Sequence, residues 1–285
     1  MQVDLWGNEV KEKELLKDKF IEPPFTVINA SSDRWNKRKR MWKELGIQSE
    51  IGRDAKVYSN DLAIKCGREN VQSEISIFDP ALCEVLYKWF CSEGGKILDP
   101  FAGGSVRGIV ANYLGYKYRG IDIRPEQIAS NLEQAENILE PDNIPIWHVG
   151  DSNVVLDNIN EEFDFVFSCP PYGDLEVYSD LEGDISNMKY DEFIDVYTSI
   201  INKSCKLLKK DSFACFVVGE FRDKKGNYVG FVPDTINAFK NCGMNYYNEA
   251  ILATPLGSAM LRANTCMKNK KLCKVHQNIL VFKKG

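Results

Sequence analysis

The chain lacks the long hydrophobic run that a membrane-spanning helix requires. No apolar stretch in its 285 residues approaches the roughly 18 residues of such a helix, so no membrane association is expected. The first twenty residues include acidic side chains such as Asp4 and Glu9 and do not resemble a signal peptide. With 44% hydrophobic and 27% charged residues, the composition is that of an ordinary globular protein.

Histidines and closely spaced cysteines are also scarce. The only two histidines are His148 and His276, and the nine cysteines include no Cys-x-x-Cys pair. Since structural zinc sites need four such ligands at short spacings, no metal is predicted. An odd number of cysteines argues against a disulfide framework and indicates a reducing compartment, so we expect a cytoplasmic protein.

Positive charge is concentrated in two segments, although the net charge is −5. Residues 31–45 carry +4 and residues 262–285 carry +7, which leaves −16 for the remainder. Such clusters favour a polyanionic partner, although a charge run also forms ordinary solvated surface. The second segment is expected to form a loop at the sheet edge before the last strand. The candidate nucleic-acid-binding residues are Arg34, Lys37, Arg38, Arg40, Arg262, Lys268, Lys270, Lys271 and Lys274.

Strand and helix patterns alternate from Lys96 onward, as in a doubly wound, mostly parallel α/β sheet. Seven strands are predicted, at 96–99, 118–122, 145–149, 163–168, 212–219, 245–252 and 277–283. Helices are predicted at 104–115, 125–138, 188–209 and 233–241, with one opening at Asp79-Pro80 and a short one after Asp151. We therefore expect an α/β domain over residues 71–285.

Residues 1–70 do not follow this alternation and are predicted to form a small N-terminal extension. It contains a basic helix in which Trp35 and Trp42 lie seven residues apart and so share a face. Tryptophans at this spacing are more often anchors of a hydrophobic core than surfaces for stacking bases. The extension is a candidate for nucleic-acid contact through its cations.

A glycine-rich turn, residues 99–105 (Asp-Pro-Phe-Ala-Gly-Gly-Ser), follows the first predicted strand. Ligands of open α/β sheets bind at the carboxyl ends of strands, and glycines before a helix let the backbone approach a ligand. Asp122 is the last residue of the next predicted strand, and Gly150 and Asp151 follow the strand after it. Asp122 is suited to bind ribose hydroxyls, whereas Asp151 could instead cap the helix that it precedes.

A second motif, residues 168–172 (Ser-Cys-Pro-Pro-Tyr), follows the strand predicted at 163–168. Together the two motifs resemble those of the S-adenosylmethionine-dependent DNA amino-methyltransferases, which methylate the exocyclic amine of adenine or cytosine. The resemblance covers roughly residues 75–285. It implies a Rossmann-like methyltransferase fold, S-adenosylmethionine as the cofactor and DNA as the partner.

The resemblance also implies which residues bind the cofactor. In that family the aspartate of the first motif faces the amino group of the ligand, and the phenylalanine lies close to the cofactor. The third acidic residue is placed where related enzymes hold the adenine amino group. Carried over to this sequence, the cofactor-binding residues are Asp99, Pro100, Phe101, Gly103, Gly104, Ser105, Asp122, Asp151, Ser76 and Phe78.

By the same resemblance, the catalytic residues are Ser168, Cys169, Pro170, Pro171 and Tyr172. The carbonyl of Pro170 would accept a hydrogen bond from the target amine, and Tyr172 would stack on the extruded base. The family has Asp, Asn or Ser where this chain has Cys169, and a thiol is a weak acceptor. Either Ser168 or a more distant group takes that role, or the chemistry differs.

Three other functions stay open. Cys169 could add to a pyrimidine ring so that carbon 5 is methylated, although the carbon-5 enzymes have proline before cysteine. The substrate could be an RNA amine, or the fold could be a non-catalytic nucleic-acid-binding module. The chain has no room for a large specificity domain, so a short recognition sequence, loose specificity, a helper protein or a homodimer is expected. The sequence does not distinguish adenine from cytosine.

Overall fold

The computed structural model describes residues 21–47, 78–171, 181, 183–257 and 259–285. The strands are β1 (Val27–Asn29), β2 (Lys96–Asp99), β3 (Lys117–Asp122), β4 (Ile146–Val149), β5 (Phe163–Ser168), β6 (Leu208–Val218), β7 (Met244–Ala253) and β8 (His276–Lys284). The helices are α1 (Asp33–Glu44), α2 (Pro80–Phe90), α3 (Val106–Tyr113), α4 (Pro125–Ile138), α5 (Ser152–Val155), α6 (Tyr190–Leu207), α7 (Phe231–Asn241) and α8 (Ala259–Lys268). Three short 3-10 turns lie at Pro141–Asn143, Leu156–Asn158 and Ile185–Asn187.

The described strands form one sheet in the order β1-β7-β8-β6-β5-β2-β3-β4. Neighbouring strands are parallel except for β8, which runs antiparallel to both β6 and β7. The strand order reverses between β2 and β5, and such a switch point is where open α/β sheets bind ligands. All seven predicted strands are present. The predicted count was nevertheless too low by one, because β1 pairs in parallel with the edge strand β7 and its three residues are too few to show a pattern.

Helices cover both faces of the sheet, and the side chains of β5 are buried on both of these faces. Phe165 and Phe167 enter the hydrophobic layer beneath α2 and α3, whereas Val166 enters the layer beneath α6 and α7. A parallel strand buried on both faces has apolar residues at successive positions. The apolar run of β5 is therefore a direct consequence of its central place in the sheet.

Helix α1 packs against α2 through two buried tryptophans. The exposed fractions of Trp35 and Trp42 are 1% and 5%, which confirms that they are core anchors. Their indole N–H groups donate to Asp79 at 3.0 Å and to Glu84 at 2.9 Å. The described part of the N-terminal extension thus shares one hydrophobic cluster with the sheet. The boundary predicted at residue 70 lies outside the described residues and stays a prediction.

The segment between β7 and β8 contains a helix, α8, where a loop was predicted. Its sequence begins Ala-Met-Leu-Arg-Ala, and these residues have high intrinsic helix propensity. The prediction of a loop gave more weight to the basic residues of the segment than to its helix propensity, which favours a helix. In α8, Ala259 is the only buried residue. No helix within the described ranges is long and apolar enough to cross a membrane.

Candidate active site

A pocket of about 450 Å³ opens at the carboxyl edge of the sheet, above the ends of the central strands. Both sequence motifs contribute to its wall, although they are about seventy residues apart in the chain. The predicted site residues that line it are Phe78, Pro100, Phe101, Gly103, Gly104, Asp122, Asp151, Cys169, Pro170 and Pro171. Ser76 and Tyr172 lie outside the described residues.

The glycine turn is held by contacts from the next strand and helix. Gly103 has a left-handed φ of +51°, which glycine adopts without steric cost. Its N–H donates to Asp122 Oδ2 at 3.0 Å, and its carbonyl accepts from Asn131 Nδ2 at 2.8 Å. Ser105 is buried and donates to Gln134 at 2.9 Å, so its hydroxyl supports α4 and is not part of the pocket wall.

Asp99 lies beneath the pocket, where protein groups surround its carboxylate. It is fully buried and accepts hydrogen bonds from Arg107 Nε at 2.5 Å, Tyr118 Oη at 2.7 Å and Ser168 Oγ at 2.5 Å. The N–H of Phe101 donates to it as well, at 3.1 Å. This geometry joins β2, β3 and β5 at one carboxylate, whereas the resemblance had placed Asp99 facing the ligand.

Arg107 completes this buried network and reaches the glycine turn from below. Its guanidinium donates to the carbonyl oxygens of Phe101 at 2.6 Å and Ala102 at 2.7 Å. Burial is the largest single influence on the pKa of Arg107 and lowers it, but the charge and hydrogen bond of Asp99, together with the nearby Tyr118 and Cys169, outweigh burial and hold the pKa well above its usual value. The guanidinium also lies 4.7 Å from the centre of the Phe78 ring. Arg107 therefore positions two parts of the pocket wall, a role that the sequence interpretation missed.

Asp122 and Asp151 differ from Asp99, because both line the pocket. Asp122 accepts from the backbone N–H of Arg124 at 2.9 Å as well as from Gly103. Asp151 is the N-cap of α5 and accepts from Asn153 N at 2.8 Å, as the capping alternative anticipated. Capping and lining are compatible here, since one carboxylate has about four acceptor sites.

The described part of the second motif divides between the pocket and the interior. Cys169, Pro170 and Pro171 line the pocket, whereas Ser168 is fully buried and its hydroxyl donates to Asp99. Ser168 therefore supports the pocket from beneath. Because its hydroxyl is buried against Asp99, the structure disfavours Ser168 as the acceptor that would replace the polar side chain missing at Cys169. Cys169 is half-buried and packs against the hydrophobic cluster that contains Phe167.

Several pocket residues come from elements that the motif analysis did not consider. They are Asn36 and Lys39 on α1, Asp79 before α2, Thr254 after β7 and Gln277 on β8. The ammonium of Lys39 lies 3.3 Å from Asp79 Oδ2, and Asp79 Oδ1 caps α2 through Ala81 N at 3.0 Å. The sequence placed Asp79 at the start of a helix and beside the predicted cofactor-binding residue Phe78, but no local pattern shows which distant helix packs against it.

The two predicted basic segments occupy different environments. On α1, Arg34 pairs with Glu22 at 3.3 Å and Arg38 pairs with Glu84 at 2.5 Å, while Lys37 and Arg40 are exposed. In the second segment Arg262, Lys268 and Lys270 are exposed.

Two lysines of the second segment contact the loop that follows β6. Lys271 lies against Gly226, and Lys274 donates to the carbonyl of Glu220 at 3.4 Å. Burial lowers the pKa of Lys274. Across the described residues, no group of three or more His, Cys, Asp or Glu side chains could hold a metal ion.

Comparisons with known proteins give the fold a context. No protein-family profile matches the chain, and no curated protein matches it. PH1948 of Pyrococcus horikoshii, proposed to be an RNA methyltransferase, superimposes with a TM-score of 0.50 at 15% identity, covering 87% of this chain and 98% of that protein.

Two further structures superimpose less well. TrmN from Thermus thermophilus gives a TM-score of 0.48 at 13% identity, covering 73% of this chain and 49% of TrmN, so the chain spans about half the length of TrmN. Magnesium protoporphyrin IX methyltransferase (ChlM) from Synechocystis PCC 6803, with bound SAH, gives 0.44 at 13% identity, covering 67% of this chain and 74% of that protein. The likeness to PH1948, at 15% identity, concerns the fold alone, which is a Rossmann-like α/β fold.

Proposed function

We propose that this protein is an S-adenosylmethionine-dependent methyltransferase that modifies the exocyclic amine of a flipped adenine or cytosine in DNA. The observation that carries the proposal is the single pocket shared by the two motifs. Its wall combines the glycine turn and two strand-end acids with Cys169 and the double proline. This shared wall supports adjacent binding of cofactor and target at the switch point of the sheet.

The residues on one side of the pocket fit the chemical groups of S-adenosylmethionine. Asp122 presents a carboxylate at the end of β3, where ribose hydroxyls are bound in related α/β folds, and Phe101 and Ile185 add apolar surface. Asp151 lies at the end of β4, suited to an adenine amino group. When bound, S-adenosylmethionine supplies the electrophilic methyl group.

The Cys169-Pro170-Pro171 segment would orient the target amine. The lone pair of an exocyclic amine is delocalised into the base, so acceptors for its hydrogens help the nitrogen to become tetrahedral. The Pro170 carbonyl is the candidate acceptor, and the nitrogen loses one hydrogen as a proton when it gains the methyl group. In this reading Cys169 is a small wall residue and not a nucleophile.

Nucleoside mass spectrometry of DNA and RNA from cells that express the protein tests the reaction. The proposal expects N6-methyladenine or N4-methylcytosine in DNA; 5-methylcytosine would favour carbon-5 chemistry, and methylated amines in RNA alone would favour an RNA enzyme. Cys169→Ser should preserve or raise turnover, since serine has similar size and accepts hydrogen bonds better. If Cys169 attacked a pyrimidine ring, the same variant would fold and bind cofactor but be inactive.

Asp122→Asn tests the cofactor assignment. The variant loses a charged acceptor for two ribose hydroxyls, so its binding of S-adenosylmethionine should weaken by about 2–3 kcal/mol. Titration calorimetry measures the affinity. Asp142→Asn is the matched control, because Asp142 is an exposed carboxylate outside the pocket wall. Equal affinities in the two folded variants would refute the assignment of Asp122.

A further inference from the structure

We propose that the first turn of α8 is an apolar wedge that enters the nucleic-acid duplex beside the pocket and fills the space left by the flipped base. The inference rests on the proposed function and adds to it the element that would open the duplex. It concerns Met260 and Leu261, which belong to neither sequence motif.

The position of α8 relative to the pocket is the first observation. The excursion that carries α8 begins after Thr254 and ends before Gln277, and both of these residues line the pocket. A hydrogen bond from Thr254 N to Val275 O, 3.0 Å long, closes the base of the excursion. The helix therefore rises from the rim of the cavity that would receive a flipped base.

The second observation is the exposure of large apolar side chains at this rim. The exposed fractions are 70% for Met260, 64% for Leu261 and 56% for Leu256. Large apolar side chains that are exposed together within six residues favour contact with a partner, because association removes them from water. Proteins that open a duplex insert side chains of this kind between base steps.

Charge identifies the partner as a polyanion. Between Thr254 and Val275 the chain has five cations, namely Arg262, Lys268, Lys270, Lys271 and Lys274, and no acidic residue. An apolar patch in a segment whose charged residues are all cations fits a phosphate backbone with stacked bases. It fits a second copy of this chain poorly, since both copies would bring the same positive charge.

A neighbouring hairpin extends this cationic edge. Arg222 and Tyr228 form an isolated antiparallel bridge, and the guanidinium of Arg222 lies 4.0 Å from the centre of the Tyr228 ring. The tip of the hairpin carries the exposed Lys224 and Lys225 beside one exposed acid, Asp223, and Gly226 contacts Lys271. The hairpin and the residues after α8 thus form one surface for phosphates beside the wedge.

The test compares methyl transfer to duplex DNA with transfer to the same DNA after heat denaturation. The probe is unmethylated genomic duplex DNA, with tritiated S-adenosylmethionine as the methyl donor. In the Met260→Ala, Leu261→Ala double variant we expect duplex transfer to fall at least about tenfold and single-strand transfer to change less than about twofold, because a single strand needs no unstacking.

Two further variants serve as controls. Met41→Ala removes an apolar side chain of 59% exposure on α1 and should leave both rates unchanged. Leu261→Met, which keeps apolar volume, should retain most of the duplex activity. Because Met41, Met260 and Leu261 are all mostly exposed, their replacement should leave the fold intact, and a thermal melt of each variant checks this.

Three results would overturn the wedge. They are an equal loss on both DNA forms, no loss on either, and a dimer of the unaltered chain in solution that the double variant converts to a monomer. An unaltered chain that binds S-adenosylmethionine but methylates neither DNA form would instead refute the proposed function, and the wedge with it.

Discussion

Helix α1 and the segment around α8 are both rich in cations, yet the structure treats them differently. On α1, Arg34, Arg38 and Lys39 are paired with Glu22, Glu84 and Asp79. Among the described residues, none of the cations between Ala259 and Val275 forms an ion pair with an acidic side chain. The difference shows that a basic run has two possible roles. Where acidic side chains distant in sequence pair with its cations, the run holds a helix in place; where they do not, the cations remain available to a partner.

The largest expected effect follows from replacing exposed cations near α8. Arg262→Gln, Lys268→Gln and Lys270→Gln together should lower the log–log salt slope of duplex binding by about three, which at 0.1 M salt is roughly two to three powers of ten in affinity. Fluorescence anisotropy over a salt series measures the slope.

A matched triple on α1 sharpens the comparison. Lys37→Gln, Arg40→Gln and Lys43→Gln remove the same charge from exposed positions of α1, and we expect a smaller change in slope. If the α1 triple lowered the slope as much as the α8 triple, the distinction between the two segments would be lost.

A second prediction concerns stability. Arg38 donates two hydrogen bonds to the carboxylate of Glu84, which is 7% exposed. In Arg38→Ala that buried carboxylate would lose its counter-charge and keep the hydrogen bond from the indole N–H of Trp42. Breaking a fully buried pair costs about 3–5 kcal/mol; because the Arg38 side chain is 33% exposed, we expect about 2 kcal/mol. Urea unfolding measures the loss, and Lys37→Ala, one residue earlier and exposed, should cost below about 0.5 kcal/mol.

The salt slope separates the two roles of Arg38. If Arg38 positions α1 and makes no phosphate contact, the folded Arg38→Ala protein should bind duplex DNA with an unchanged slope. A slope reduced by about one would restore Arg38 as a phosphate contact.

The smallest expected effect is a loss of stability in mild acid. The pKa values of His148 and His276 lie below the ordinary 6.5, because burial disfavours the imidazolium and because Arg119 and Lys274, respectively, repel it. The unfolded chain therefore binds more protons as the pH falls through about 6.5, so the free energy of unfolding decreases toward about pH 5.

Comparison with a histidine variant isolates this contribution from the carboxylates. His148 Nε2 is buried and has no hydrogen-bond partner among the described residues, so a neutral side chain is favoured there. The difference in unfolding free energy between the unaltered chain and His148→Gln should shrink as the pH falls from about 7 to about 5. A difference independent of pH would show that His148 does not contribute.

The central part of the fold was predictable because its signals are local. The strand at 163–168 was predicted with its observed bounds, since apolar residues at successive positions and the following Pro-Pro mark a buried strand and its end. Helix α4 likewise matched, with Pro125 at its first position. Strand β1 and helix α8 were missed, the first because three residues carry little pattern and the second because its charge was weighed above its helix propensity.

The candidate site was predictable in part. Pocket-lining residues such as Asp122 and Cys169 were identified from their places at the ends of predicted strands. Asp99 and Ser168 follow strands in the same way, but the structure turns them toward Arg107 and toward each other. A motif specifies where the backbone lies, whereas the direction of a side chain depends on the partners that surround it.

By itself the sequence determined the alternation of strands and helices, the glycine turn and the two motifs at strand ends, because each depends on neighbours within a few residues. Only the tertiary structure decided that Asp99 lies beneath the pocket, that Glu84 neutralises Arg38, and that Thr254 and Gln277 root α8 at the pocket rim. These contacts join residues about twenty to seventy positions apart, and the burial that selects them exists only when the whole sheet has formed.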